Sequence, residues 1–140
     1  VLLTLNYKKQ LEGNNMSENK TYNFSVNIVL NSDDEAVFTY FQNGKEVSGG
    51  GTVKERNSKG TYTLDETTFA KGFKFTGAKF TNLEGDCAKD FTPTVIDKGQ
   101  AIQISDSDEN SGIVCMIFIV EYNGKSYESA DPQIKNDREN

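Results

Sequence analysis

The sequence contains no histidine, and this absence narrows the chemistry open to it. Ser-His-Asp and Cys-His catalysis need an imidazole as general base, and a histidine-ligated zinc site needs one as a ligand. Glu84, Asp86 and Asp90 show no spacing typical of a glycosidase pair, so we interpret them as solvated loop charges. The residue types therefore predict a protein that is not an enzyme and has no catalytic residues.

One acidic stretch has a spacing that suits a metal ion. Asp106 to Gly112 read D-x-D-x-N-x-G, so Asp106, Asp108 and Asn110 offer hard oxygen ligands at alternate positions. Such a set is typical of the first half of a calcium loop, and it predicts a possible Ca²⁺ site completed by a second acidic segment such as Asp33–Glu35. The alternative is an acidic turn between strands that holds no ion. It is favoured because the glycine comes one place late and Ile117 stands where a bidentate Glu is needed.

The two cysteines leave two interpretations open. Cys87 lies in a predicted loop and Cys115 in the middle of a predicted strand. A bridge between them would indicate an oxidising compartment, whereas two free thiols suit a reducing cytosol, which we favour. In the folded protein Cys87 is expected to react with a thiol reagent before Cys115.

The net charge and the lengths of the apolar runs limit the kinds of partner that the protein can bind. The chain has 140 residues and a net charge of −6, which disfavours nucleic acid and anionic membrane surfaces. The longest apolar run, Ile113–Val120, falls short of the roughly 18 residues that a membrane helix needs. We therefore predict no nucleic acid partner and no membrane insertion, and leave protein binding or self-association open.

Strand patterns position these residues. Tyr22–Leu30 alternates apolar and polar side chains, which is typical of a half-buried strand. Ile113–Val120 is apolar at every position and rich in β-branched residues, so we predict a central strand covered on both faces. Asn123-Gly124 after it, and Asn43-Gly44 earlier, indicate two-residue hairpin turns.

The middle of the chain is less regular. Asp65 is placed to cap a single helical turn. The phenylalanines around Gly77 predict a strand with a kink or bulge. Asn57–Gly60 stands between two short strand patterns, so we predict a further hairpin there.

Taken in order, these elements predict an all-β fold. No stretch of roughly ten residues has helical periodicity, and seven to nine short strands joined by Gly-containing turns favour a single immunoglobulin-like antiparallel β-sandwich. We assign residues 1–20 to a loosely attached N-terminal extension, residues 21–136 to the sandwich domain and residues 137–140 to a C-terminal tail.

The C-terminal run Tyr127–Asn136, with its D-P-x-I-x-N motif, resembles the ending of small bacterial β-sandwich proteins of the DP-EP family. The resemblance covers roughly the last forty residues, including the acidic turn and the apolar strand after it. It implies an immunoglobulin-like (E-set) domain with no assigned function and supplies no site residues. The inclusion-body family that contains PixA and AidA has a comparable Asp-Pro near its C-terminus and is a second, weaker resemblance.

From these observations we predict a non-catalytic protein of unknown role that acts by binding or assembly. The alternative is a secreted or surface-exposed module that binds carbohydrate or protein, with Ca²⁺ as a possible cofactor. Translation from Met16 would place the protein in the cytoplasm, and a leader upstream of Val1 would favour secretion. We favour the cytoplasm over secretion, because we expect both cysteines to be free thiols.

Overall fold

Residues 20–137, which are the residues that the computed structural model describes, form eleven strands, one short α-helix and two 3-10 turns. The predicted N-terminal extension and C-terminal tail lie almost wholly outside this range. The strands are β1 (Thr21–Leu30), β2 (Ala36–Gln42), β3 (Lys45–Val47), β4 (Gly51–Val53), β5 (Ser58–Leu64), β6 (Lys74–Gly85), β7 (Phe91–Ile96), β8 (Ala101–Asp106), β9 (Gly112–Tyr122), β10 (Lys125–Glu128) and β11 (Gln133–Asn136).

The strands form two sheets that pack face to face, which confirms the predicted β-sandwich. The first sheet has the order β3-β2-β1-β5-β8-β7. In the second sheet β9 is central, with β6 along one side and β10 and β11 end to end along the other. β4 lies beyond β11. The acidic turn after β8 therefore joins one sheet to the other.

The structure differs from the prediction in strand direction and number. β1 pairs with β5 in parallel, and so does β4 with β11, so both sheets are mixed. The predicted hairpin at Asn57–Gly60 is wrong, because β5 already begins at Ser58. Residues 54–57 carry the chain from β4 in the second sheet to β5 in the first. β3 and β11, of 3 and 4 residues, are too short to show an alternating pattern.

The central strand β9 is buried mainly on one face. Val114, Met116, Phe118 and Val120 have no exposed surface and form the middle of the core. The opposite face, from Ile113 to Ile119 at alternate positions, is half-buried rather than fully covered as predicted. Lys79 lies opposite Ile117 and Glu128 opposite Ile119, and the ion pair between them (2.8 Å) bridges the flanking strands over this apolar row.

Both Asn-Gly pairs form the predicted hairpin turns. Asn43 and Gly44 have φ angles of 52° and 79°, and Asn123 and Gly124 have 52° and 74°. Two successive positive φ angles define a type I′ turn, which suits the twist of the flanking strands. These turns join β2 to β3 and β9 to β10.

The single helix, α1 (Glu66–Lys71), begins as predicted at Asp65. The Asp65 carboxylate accepts a hydrogen bond from the Thr68 backbone N–H (2.8 Å) and another from Asn27 Nδ2 (3.1 Å). Gly72 ends the helix in the left-handed conformation (φ 115°). Within residues 20–137 there is no helix with the length and apolarity needed to cross a membrane.

Candidate functional site

The predicted site residues lie together at one end of the sandwich. Asp106 is the last residue of β8 and is 4% exposed; Asp108 is 2% exposed. Asp108 has a left-handed backbone (φ 53°), and its N–H donates to Asp106 Oδ1 (2.9 Å). The turn is therefore folded inward instead of extending its carboxylates into solvent, because the side chain of Asp106 satisfies the backbone of Asp108.

Asp90 joins this group, which corrects its interpretation as a solvated loop charge. It is 6% exposed and lies in a short 3-10 turn directly before β7. Its Oδ2 accepts from the Asn110 backbone N–H (2.8 Å) and its Oδ1 from Asn110 Nδ2 (2.7 Å). The amide nitrogen of Asn110 is thus used to hold Asp90.

Asn136, the last residue of β11, ties the group together. It is 1% exposed, and its Nδ2 donates both to Asp90 Oδ2 (3.2 Å) and to Asp106 Oδ1 (3.0 Å). Because Asp106 belongs to the first sheet and Asn136 to the second, this amide joins the two sheets. We call Asp90, Asp106, Asp108 and Asn136 the buried acidic cluster.

Ionisation of all the carboxyl groups in the cluster is electrostatically unfavourable. Burial raises the pKa of Asp106 to about 6, and the neighbouring carboxylates of Asp108 and Asp90 add to the effect. Hydrogen bonds from Asn136 and from the Asp108 N–H oppose it. Asp106 Oδ2 and Asn136 Oδ1 are buried and have no hydrogen-bond partner. The cluster therefore has buried oxygen acceptors to which no protein group donates a hydrogen bond.

The predicted calcium site remains a prediction. Within residues 20–137 no three Asp, Glu, Cys or His side chains form a group that would hold a metal ion. The second acidic segment does not complete it, because Asp34 lies beside the β9–β10 hairpin and binds Lys125 and Tyr127 there. β9 starts near the cluster at Gly112 and reaches this hairpin at Tyr122, so the two acidic segments lie at opposite ends of it.

A cleft lies between the two sheets next to the cluster. Its volume is about 180 Å³. On the inner face of β5, Ser58 and Gly60 are small, and Gly60 stands between Tyr22 of β1 and Ile104 of β8. The missing side chain at Gly60 makes room for the Tyr62 ring, whose Cε1 would lie 3.2 Å from a Cβ at that position. The walls carry four aromatic side chains: Tyr22, Phe24, Tyr62 and Phe91.

A second, polar pocket adjoins this cleft, and Ser58, Lys59 and Asp106 line both. The polar pocket has a volume of about 370 Å³, and Asp106 and Asp90 line it together with Lys20 and Ser107. Asp106 also lines the cleft. Sequence reasoning found Asp106 but neither the cleft nor its proximity to the carboxylate.

Comparison with known proteins identifies the family. The model of the DP-EP family matches residues 20–138. The chain belongs to the DP-EP family. No curated protein matches it. A similar solved structure is the inclusion body protein PixA from Burkholderia cenocepacia J2315, with 8% identity, a TM-score of 0.43, and coverage of 88% of this chain and 99% of that one.

In this DP-EP family chain the D-P-x-I-x-N motif fastens the last strand. The Asp131 carbonyl accepts from Ser129 Oγ (2.7 Å) and from the Tyr40 hydroxyl (3.2 Å) of the opposite sheet. The Pro132 carbonyl accepts from the Met116 N–H (2.8 Å), and Ile134 packs in the core. Asn136 lies in the acidic cluster. The Asp, Pro, Ile and Asn of the motif therefore all make contacts inside the sandwich, the first two through their backbone carbonyls. The motif was the one signal in the sequence that contained Asn136.

The cysteines of this DP-EP family member are both free, and their environments reverse the expected order of reaction. Cys87 is fully buried, whereas Cys115 is half-buried on the outer face of β9. Burial raises the pKa of the Cys87 thiol, and the carboxylates of Asp106 and Asp90 raise it further. Cys87 is therefore both less accessible and less readily ionised than an ordinary thiol.

We expect Cys115 to react before Cys87 when the folded protein is treated with iodoacetamide. The measurement is peptide mapping by mass spectrometry over a time course, and the denatured protein, in which both thiols should react at similar rates, is the control. Earlier labelling of Cys87 would show that the segment around it opens more readily than the structure indicates.

Proposed function

We propose that this protein is a non-catalytic binding protein whose ligand occupies the aromatic cleft between the two sheets. The observation that carries the proposal is the cleft itself: a space of about 180 Å³ with Tyr22, Phe24, Tyr62 and Phe91 in its walls. Apolar cavities of about 150 Å³ bind molecules of the size of benzene. A small flat molecule is therefore the ligand that fits.

The strand edges support binding over assembly. β6, the longest edge strand in the described range, has register shifts at Phe75/Gly77 and at Asn82/Glu84 and carries Lys74 and Lys79. β7, one of the two edges of the first sheet, contains Pro93, which has no N–H to donate. Bulges, lysines and prolines at edges all hinder pairing between copies of a sheet. Extension of the sheets by a second molecule is thus opposed at the β6 and β7 edges.

The side chains near the cleft support a role without catalysis. Nucleophilic catalysis by Cys87 would need a thiolate, and the pKa of this thiol is raised rather than lowered. The chain has no histidine to act as a base beside it. Asp90 and Asp106 are held by Asn136, which keeps them in a fixed hydrogen-bonded arrangement.

The test is binding of benzyl alcohol, a neutral probe of suitable size, measured by ligand-observed NMR. Gln42 is half-buried at the cleft, so Gln42→Trp should fill the opening and abolish binding. Gln103, equally half-buried but on the outer face of β8, gives the matched control Gln103→Trp, which should bind as the wild type does. Equal binding by Gln42→Trp and the wild type, or no binding by the wild type at millimolar probe, would overturn the proposal.

We infer calcium binding at the acidic cluster as a second candidate function. Asp106 Oδ2 and Asn136 Oδ1 favour it, because both are buried hard oxygens without a hydrogen-bond partner. An ion held by the folded state alone should stabilise it by about 2.7 kcal/mol at a hundredfold excess over Kd. The measurement is a thermal melt in millimolar Ca²⁺ and in EGTA at matched ionic strength. Equal Tm values in the two buffers would contradict this function.

A further inference from the structure

Negative charge is concentrated beneath one wall of the cleft. Asp106 lines the cleft, and Asp90 and Asp108 are buried with it at the same end of the sandwich. Asp106 is only 4% exposed, and its Oδ2 has no hydrogen-bond partner in the protein. A buried carboxylate oxygen that no protein group donates to leaves its negative charge uncompensated, and this charge acts on a ligand in the adjacent cleft.

We propose that the cleft selects a small organic cation, namely a primary ammonium or amidinium group carried on a flat apolar ring. This inference rests on the proposed binding function and names the chemical class of the ligand. The cationic group lies on the Asp106 side of the cleft, and the ring lies among the aromatic side chains.

The walls suit both parts of such a ligand. The rings of Phe24 and Tyr62 are nearly parallel (2°) with centroids 4.4 Å apart, so they stack on each other and form one apolar wall of the cleft. Aromatic rings also attract cations through their negative faces. A planar ring with one positive group therefore matches the apolar and the charged part of the cleft together.

The charges that line the cleft favour a cation over an anion. Two charged residues line it, Lys59 and Asp106. Lys59 is exposed, so solvent screens its charge, whereas Asp106 is buried where the effective dielectric constant is lower. The carboxylates of Asp90 and Asp108 add to the negative potential from the same side. Lys20, on the other side of Asp106 in the polar pocket, is also exposed and screened by solvent, so the buried charge at the Asp106 side of the cleft is negative.

The experiment compares benzylamine, a cation at neutral pH, with benzyl alcohol and benzoate, which have nearly the same shape. Affinities are measured by NMR titration at pH 7 in buffer containing EGTA, so that no calcium ion occupies the cluster. Wild-type protein should bind benzylamine about tenfold more tightly than benzyl alcohol, the ratio expected for a partly screened charge pair. Benzoate should bind least.

Asp106→Asn, which keeps the size and one acceptor oxygen of the side chain, should bring the ratio of benzylamine to benzyl alcohol affinity close to one. Asp33→Asn removes the same charge from an exposed turn away from the cleft, so it should leave the ratio unchanged. The comparison of the three probes in wild-type protein stands even if Asp106→Asn does not fold.

Different results would contradict the binding function of the cleft and its preference for a cation. If benzyl alcohol binds and benzylamine binds no more tightly, the preference for a cation is wrong and the cleft remains a binding site. If benzoate binds most tightly, the preference is likewise wrong, and Lys59 controls the cleft. If none of the probes binds, the proposed function fails together with this inference.

Discussion

Phe118→Ala should lower the free energy of unfolding by about 3–5 kcal/mol. Phe118 has no exposed surface and lies at the centre of β9, the central strand of the second sheet. Its ring centroid is 4.6 Å from that of Tyr62 and 6.1 Å from that of Tyr40, both on the first sheet. Removing the ring leaves a cavity between the two sheets that these neighbours cannot fill without moving.

Chemical denaturation of the Phe118→Ala variant measures this loss. Leu83→Ala is the control, because Leu83 is 53% exposed and its truncation should change stability by less than about 0.5 kcal/mol. A domain of this size has a total stability of about 5–15 kcal/mol, so a loss of this size removes a large share of it. A loss below about 1 kcal/mol would show that the two sheets do not meet at this residue.

Asn136→Ala should cost about 2–4 kcal/mol. The side chain is 1% exposed, and its Nδ2 is the donor shared by Asp90 and Asp106. Without it, two buried carboxylates lose a hydrogen bond and repel each other with less compensation. The loss should therefore exceed that of an ordinary hydrogen bond, which is about 1 kcal/mol.

Two further variants test whether the loss of stability comes from the Asn136 amide and its bonds to the carboxylates. Gln133→Ala, at an exposed position of the same strand, should be nearly neutral. In an Asp106→Asn background the cost of Asn136→Ala should fall, because one of the two carboxylates is then uncharged, and a double-mutant cycle measures the difference. If Asn136→Ala is tolerated as well as Gln133→Ala, the amide does not hold the cluster together.

The features that could be predicted from the sequence have causes within a few residues. The Asn123-Gly124 turn follows from the ease with which these two residues adopt positive φ angles. The helix start at Asp65 follows from a side chain that reaches the N–H of Thr68, three residues on. The buried face of β1, Phe24, Val26 and Ile28, follows from strict alternation.

Strand pairing was predicted less well because it is a choice between distant partners. The pattern of β5 indicates a strand, but nothing within Ser58–Leu64 says that β1 will lie parallel beside it. The hairpin expected at Asn57–Gly60 had suitable residues for a turn, and the chain instead crosses to the other sheet. Local turn chemistry permits both outcomes, and packing of the two sheets selects one.

By itself the sequence determined an all-β sandwich, its central apolar strand, its turns and an acidic turn at Asp106, because each depends on short-range periodicity or backbone preference. The tertiary structure alone decided which polar groups meet. Asn136 bonds Asp106 across 30 residues and Asp90 across 46, and Asp90 changed from a presumed surface charge to a buried one. Burial of a carboxylate depends on the elements that pack around it. The cleft and its charged wall therefore depend on the position of β11, which contributes Ile134 to the cleft and Asn136 to the hydrogen bonds of Asp106.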